Sequence, residues 1–251
     1  MRSAWTLLVL TTLVISFSVF AAEKSRKEIV ENPGQQAPLA LVYRGPGACF
    51  DGDCPKVAAN LLRRAGYHTR YVRPSEITAR LLSTAQVWVQ PGGDALRVRA
   101  ALSDQAFSDI KNFVYQGGSY LGFCAGAFLA GPWLDDNDSL PGLNIVPAYD
   151  FDHTHGDEHP RVEPILWNGQ VRHVYYQGGA AFRVGDKDSN IVKATYQDGS
   201  AVILYSTYGK GKVAVSGAHP EAPNSWFQDD HLKKEEDTLD IALDMVSWIS
   251  H

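Results

Sequence analysis

Gly122-Phe123-Cys124-Ala125-Gly126 sets a thiol between two glycines, after an apolar run and before a run of small residues. This is the Gly-x-nucleophile-x-Gly layout of a nucleophile elbow, with cysteine in the place serine often takes. The flanking glycines relieve crowding where the backbone turns from strand to helix. A helix beginning at Ala125 would place its positive end beside Cys124 and favour thiolate over thiol. The competing reading is a buried, inert cysteine, since free cysteine is among the most buried residue types.

A thiol nucleophile needs a base, and the base needs a group to orient it. Ser216-Gly217-Ala218-His219-Pro220-Glu221 offers both, about 95 residues after Cys124. His219 and Glu221 are two apart, so an extended backbone projects them to the same side. Glu221 would then hold one tautomer of His219 while the other ring nitrogen faces Cys124. An isolated His-x-Glu is more often a surface pair; its combination with the elbow turns the expectation to a Cys124–His219–Glu221 triad. An oxyanion site needs backbone N–H donors. Ala125 offers one, and Gly92 or Gly93 in Gln90-Pro91-Gly92-Gly93-Asp94 the other, unless that stretch is an ordinary turn.

The elements that must position these groups follow from hydrophobic patterning. A short continuous apolar run at 39–43 and further strand patterns at 68–72, 85–89 and 119–123 alternate with helical patterns at 57–65, 77–82, 104–115 and 125–129. Strands alternating with helices predict a parallel sheet covered on both faces. Sites in such sheets form beyond the carboxyl ends of strands, where the glycine loop and Cys124 both fall. From Leu143 onward strands and turns dominate, at 161–167, 171–176, 191–196, 201–205 and 212–215, with a closing helix at 235–249. Asn168-Gly169 and Gly209-Lys210-Gly211 read as hairpin turns.

The amino-terminal residues read as an export signal. Arg2 precedes an apolar run from Trp5 to Phe20, and Val19 and Ala21 suit cleavage after Ala21. The run is short and diluted by Thr and Ser against the ~20 apolar residues of a spanning helix, which sets an uncleaved anchor as the alternative. The expected organisation is a signal peptide at 1–21, a linker at 22–38 and one α/β domain at 39–251. The net charge of −5, with no basic block, excludes a phosphate-backbone partner. No membrane partner is expected once the signal is cleaved.

Three cysteines in an exported chain leave one over. Cys49 and Cys54, in a Gly/Asp-rich turn, are candidates for a local disulfide in an oxidising compartment, leaving Cys124 free. Asp152-His153-Thr154-His155-Gly156-Asp157-Glu158-His159 carries ligand types suited to Zn²⁺ or Cu²⁺, but lacks the rigid spacing of a metal site. It is read as a loop near the pocket mouth, with no metal and no cofactor expected.

The motifs LVYRGPGA, WVQPGGDA, GGSYLGFCAGAFLA, VYYQGGAAF and GAHPE are spread over most of residues 39–249. Together they resemble the N-terminal domain of biotin–protein ligases and its stand-alone relatives. More broadly, the order of elbow cysteine and His-Pro-Glu is similar to class I glutamine amidotransferases. The resemblance implies a flavodoxin-like three-layer sandwich with a mainly parallel central sheet, plus added antiparallel strands in the C-terminal half. It implies the same triad, the Pro91-Gly92-Gly93 loop facing the nucleophile, and a pocket lined by Tyr176, Gln177, Gly178, Gly179 and Phe182. Two functions follow as expectations. One is a cysteine hydrolase acting on a small-molecule or peptide amide; the other is a ligand-binding or regulatory domain on the same scaffold.

Overall fold

A computed structural model describes residues 37–49, 53–135 and 137–250. The signal segment 1–21 and nearly all of the linker 22–38 lie outside the described residues. Residues 36–251 form one compact unit.

Its centre is five parallel strands, β1 (Leu39–Tyr43), β2 (His68–Val72), β3 (Val87–Gln90), β4 (Ser119–Phe123) and β11 (Gly211–Ser216), in the order β2-β1-β3-β4-β11. The inner strands β3 and β4 are buried throughout and mostly apolar because both faces are covered. Ala40 and Val42 enter one core cluster while Leu41 and Tyr43 enter the other. Val89 and Trp88 divide in the same way. The first cluster is completed by α1 (Asp53–Arg64) and α7 (Leu239–Ile249). The second takes in α2 (Ala79–Leu82), α3 (Ala95–Ala101), α4 (Asp104–Tyr115) and α5 (Ala125–Ala130). Three layers result.

Local signals explain several boundaries. The Ser103 hydroxyl accepts from the Ala106 N–H and starts α4, and Asp94 accepts from the Arg97 N–H to start α3. Each such cap contributes about 1 kcal/mol. α1 ends where Gly66 takes a φ of +91°, a conformation glycine adopts at little cost.

The remaining strands are β5 (Ala148–Asp152), β6 (Arg161–Trp167), β7 (Gln170–Tyr176), β8 (Ala180–Val184), β9 (Val192–Tyr196) and β10 (Ala201–Tyr208). All pair antiparallel, extending the sheet as β11-β10-β9-β6-β7, with β8 on β10 and β5 on β8. The two expected hairpins join β6 to β7 and β10 to β11. At the first, Asn168 and Gly169 both have positive φ, as a tight two-residue turn requires. The antiparallel part is larger than patterning suggested. β5 and β8 were absent from that reading, because Ala148–Asp152 is acidic and Ala180–Val184 is short and rich in alanine. α3 and α6 (Asn224–Asp229) were missed too, and α7 begins at Leu239 rather than at 235.

Candidate functional site

Strand β4 ends at Phe123, and Cys124 then takes φ 48° and ψ −104° before α5 begins. Positive φ in a non-glycine residue costs energy and persists only where the surroundings over-determine it. Here the Cys124 N–H donates to the Ser216 carbonyl at 2.8 Å, while the Cys124 carbonyl accepts from Ala127 and Phe128. The Tyr120 hydroxyl donates to the Gly126 carbonyl at 2.7 Å in the buried interior. Gly126 itself has no room for a side chain: a Cβ there would lie 2.2 Å from the Gln90 carbonyl oxygen. The second glycine of the elbow is therefore required by close approach to β3.

The β4–β11 register places Ser216 opposite Phe123, so the chain leaving β11 emerges beside the elbow. His219 follows three residues later, its N–H donating to the Tyr175 carbonyl at 2.9 Å. Its Nδ1 is 2.9 Å from Glu221 Oε1, and both side chains are at most 5 % exposed. Glu221 Oε2 is buried without a partner. Burial alone would disfavour a charged ring, but the Glu221 carboxylate, together with Cys124, outweighs it and raises the His219 pKa to about 10. Cys124, the free thiol, is also buried.

Around the sulfur lie the carbonyl oxygens of Gln177 at 3.7 Å, Gly178 at 3.9 Å and Gly93 at 4.0 Å. The glycine loop thus meets Cys124 from one strand end and the 177–178 turn from another. Among the described residues, neither the Ala125 N–H nor the Gly93 N–H has an acceptor. The Gly92 carbonyl, by contrast, accepts from the Cys49 N–H at 3.3 Å. Gly92 also packs against the histidine: a Cβ there would lie 2.6 Å from His219 Cε1.

Two residues expected in the pocket stand elsewhere. Tyr176 is wholly buried in the first core cluster, donates from its hydroxyl to the Gly179 carbonyl at 3.0 Å, and meets His153 and Tyr196 edge-on. Phe182 lies in the second cluster. Gly179 approaches Gly217 closely, so that a side chain there would meet the Gly217 carbonyl. The residue at the histidine is Tyr175, one place earlier, because side chains alternate along a strand. Its ring and that of Trp226 stand edge-on to His219, with centroids 5.9 and 5.2 Å away. The Tyr175 hydroxyl donates to Asp230 at 2.6 Å. Two-residue alternation from the buried Val174 could have indicated Tyr175; Trp226 carried no signal of its own.

Cys49 and Cys54 are joined as a disulfide. The histidine-rich loop brings together no metal-competent group among the described residues. His153 stacks on Tyr196 at 3.6 Å and faces Glu163, while His159 pairs with Asp157.

Comparison with known proteins places the fold in a class. A solved glutamine amidotransferase superposes with a TM-score of 0.59 at 17 % identity, covering 84 % of this chain and all of that one. The fold is that of class I glutamine amidotransferase-like proteins. Residues 39–138 match the family described as biotin-protein ligase, N terminal. The biotin–protein ligase of Schizosaccharomyces pombe (strain 972 / ATCC 24843) is 30 % identical over 190 residues, 64 % of this chain and 29 % of that protein. An uncharacterized protein of Chlamydia muridarum (strain MoPn / Nigg) is 31 % identical over 159 residues, 55 % of this chain and 61 % of that protein. The chain thus spans less than two thirds of the length of either relative.

Proposed function

We propose that the protein is an exported cysteine hydrolase acting on an amide or related acyl group of a small molecule or peptide. In this reading Cys124 attacks the carbonyl, and the Ala125 and Gly93 N–H groups receive the developing oxyanion. His219 carries the proton to the leaving group, and Glu221 holds the ring. No cofactor or metal takes part. The observation that carries the reading is the left-handed Cys124 at the strand end beside a buried His219 hydrogen-bonded to Glu221. A nucleophile held in a costly conformation next to an oriented base is the arrangement thiol acyl transfer requires.

Iodoacetamide labelling of Cys124 across pH tests it, with wild type beside His219→Ala. Loss of the imidazolium should slow alkylation near neutral pH about tenfold or more, whereas an unchanged profile in a folded variant rejects the pair. A screen of amide, peptide and glutamine substrates against Cys124→Ala then finds the substrate class. The three carbonyl oxygens crowding the sulfur support a second reading, a ligand-binding domain without turnover. That reading gains if Cys124 labels readily yet no acyl substrate turns over.

A further inference from the structure

The disulfide lies at the glycine loop, not at a remote corner of the molecule. Segment 45–49 leaves β1 and runs antiparallel to Gly93, bridged at Ala48. Asp94 donates its N–H to the Gly47 carbonyl at 2.7 Å, and Cys49 donates to the Gly92 carbonyl at 3.3 Å. At its other end the bridge is anchored by Cys54, 3 % exposed in the first turn of α1. A Cβ on Gly92 would stand 3.4 Å from Cys54 Sγ and 2.6 Å from His219 Cε1. Bridge, glycine loop and histidine are therefore packed in one stack.

The N–H of a trans peptide points opposite to its carbonyl. By drawing the Gly92 carbonyl towards segment 45–49, the Cys49 N–H turns the Gly93 N–H to the other side, where no acceptor is present among the described residues. Gly93 is itself at the nucleophile, its carbonyl oxygen 4.0 Å from Cys124 Sγ. Glycines have no side chain to fix this peptide plane, so its orientation depends on the hydrogen bond from Cys49. That bond in turn depends on what keeps Cys49 in place.

Resting on the hydrolase reading, we infer that the Cys49–Cys54 disulfide is a positioning device for the oxyanion site, holding the Gly92–Gly93 peptide in the orientation that offers the Gly93 N–H to the tetrahedral intermediate. Cys49 and Cys54 are positioning residues and touch no reacting atom. A dithiol reductant converts the bridge to two thiols and is itself oxidised to a cyclic disulfide, two electrons and two protons passing from the dithiol to the bridge. The device is thereby sensitive to redox conditions.

Two reagents separate oxyanion support from nucleophile activation. Iodoacetamide alkylates a thiolate by displacing iodide and forms no oxyanion, whereas p-nitrophenyl acetate acylates it through a tetrahedral oxyanion. Both are applied to full-length protein, with alkylation and acetylation at Cys124 each read by peptide mass, which separates them from reaction at Cys49 and Cys54. In Cys49→Ser/Cys54→Ser, alkylation of Cys124 should keep its wild-type rate while acylation falls by at least about tenfold, below the ~10²-fold loss of deleting one oxyanion donor outright. Wild-type protein reduced with dithiothreitol, freed of reductant and assayed under nitrogen should behave like the double variant, and reoxidation should restore it. This arm stands if the variant fails to fold. Acylation at the wild-type rate without the bridge overturns the inference. An equal fall in alkylation and acylation also overturns it, because the bridge is then merely structural. Failure of wild-type Cys124 to acylate while it alkylates normally overturns the hydrolase reading itself, and the inference with it.

Discussion

His219 carries its charge at neutral pH because the Glu221 carboxylate and Cys124 outweigh the burial that opposes it. The histidine's folded pKa of about 10 lies above its unfolded value of about 6.5. The coupling therefore stabilises the fold fully below about pH 6.5 and is lost progressively as pH rises towards 10. Thermal melts of wild type and Glu221→Gln should show the larger difference at pH 6, with the two curves converging towards pH 10. A constant gap across that range would mean that Glu221 supports the fold by packing alone. In iodoacetamide labelling, Glu221→Gln should slow Cys124 less than His219→Ala does, since the amide keeps the shape and loses only the charge.

At the scale of elements, the elbow depends on how closely α5 approaches β3. Gly126→Ala would drive a methyl into the Gln90 carbonyl, 2.2 Å from the built Cβ. A clash with backbone cannot be relieved by a rotamer change, so the cost should reach about 1–3 kcal/mol. Denaturant unfolding measures it, and labelling of Cys124 in the folded fraction shows whether the elbow has shifted. The segment from β1 to α1 is the second such element. Peptide mapping without reductant should recover Cys49 linked to Cys54 and Cys124 as a free thiol. A disulfide containing Cys124 would remove both the bridge assignment and the proposed nucleophile.

For the whole molecule, among the described residues no helix is long and apolar enough to cross a membrane. Export is expected from Arg2, the Trp5–Phe20 run and the Val19-x-Ala21 pattern, and a disulfide beside the glycine loop suits an oxidising compartment. Amino-terminal sequencing of protein recovered from an export-competent host should begin at Ala22. Recovery of intact Met1 in the membrane fraction would favour an anchor.

Much of the architecture was legible before any coordinates. The continuous apolar run at 39–43 specifies a strand buried on both faces and forms β1, and the strand expected at 119–123 forms β4. The Asn168-Gly169 turn was equally plain, because few residues tolerate positive φ in succession. So was the elbow: glycine spacing around Cys124 is a local demand of a sharp turn. Such signals are readable because each depends on neighbours within a few residues of chain.

Long-range pairing obeys no such local rule. Nothing near His219 in the chain specifies that Ser216 pairs with Phe123, yet that register brings the histidine to Cys124 from 95 residues away. The parity of β7, which turns Tyr175 to the histidine and Tyr176 into the core, follows from pairing with β6. Acidic β5 becomes a strand by pairing with β8 rather than by its own propensity. The Gly92–Gly93 peptide takes its orientation from Cys49, more than 40 residues earlier and beyond the reach of any local pattern. Residue types and turns are properties of a short stretch of chain; the meeting of four strand ends at one thiol is a property of the sheet.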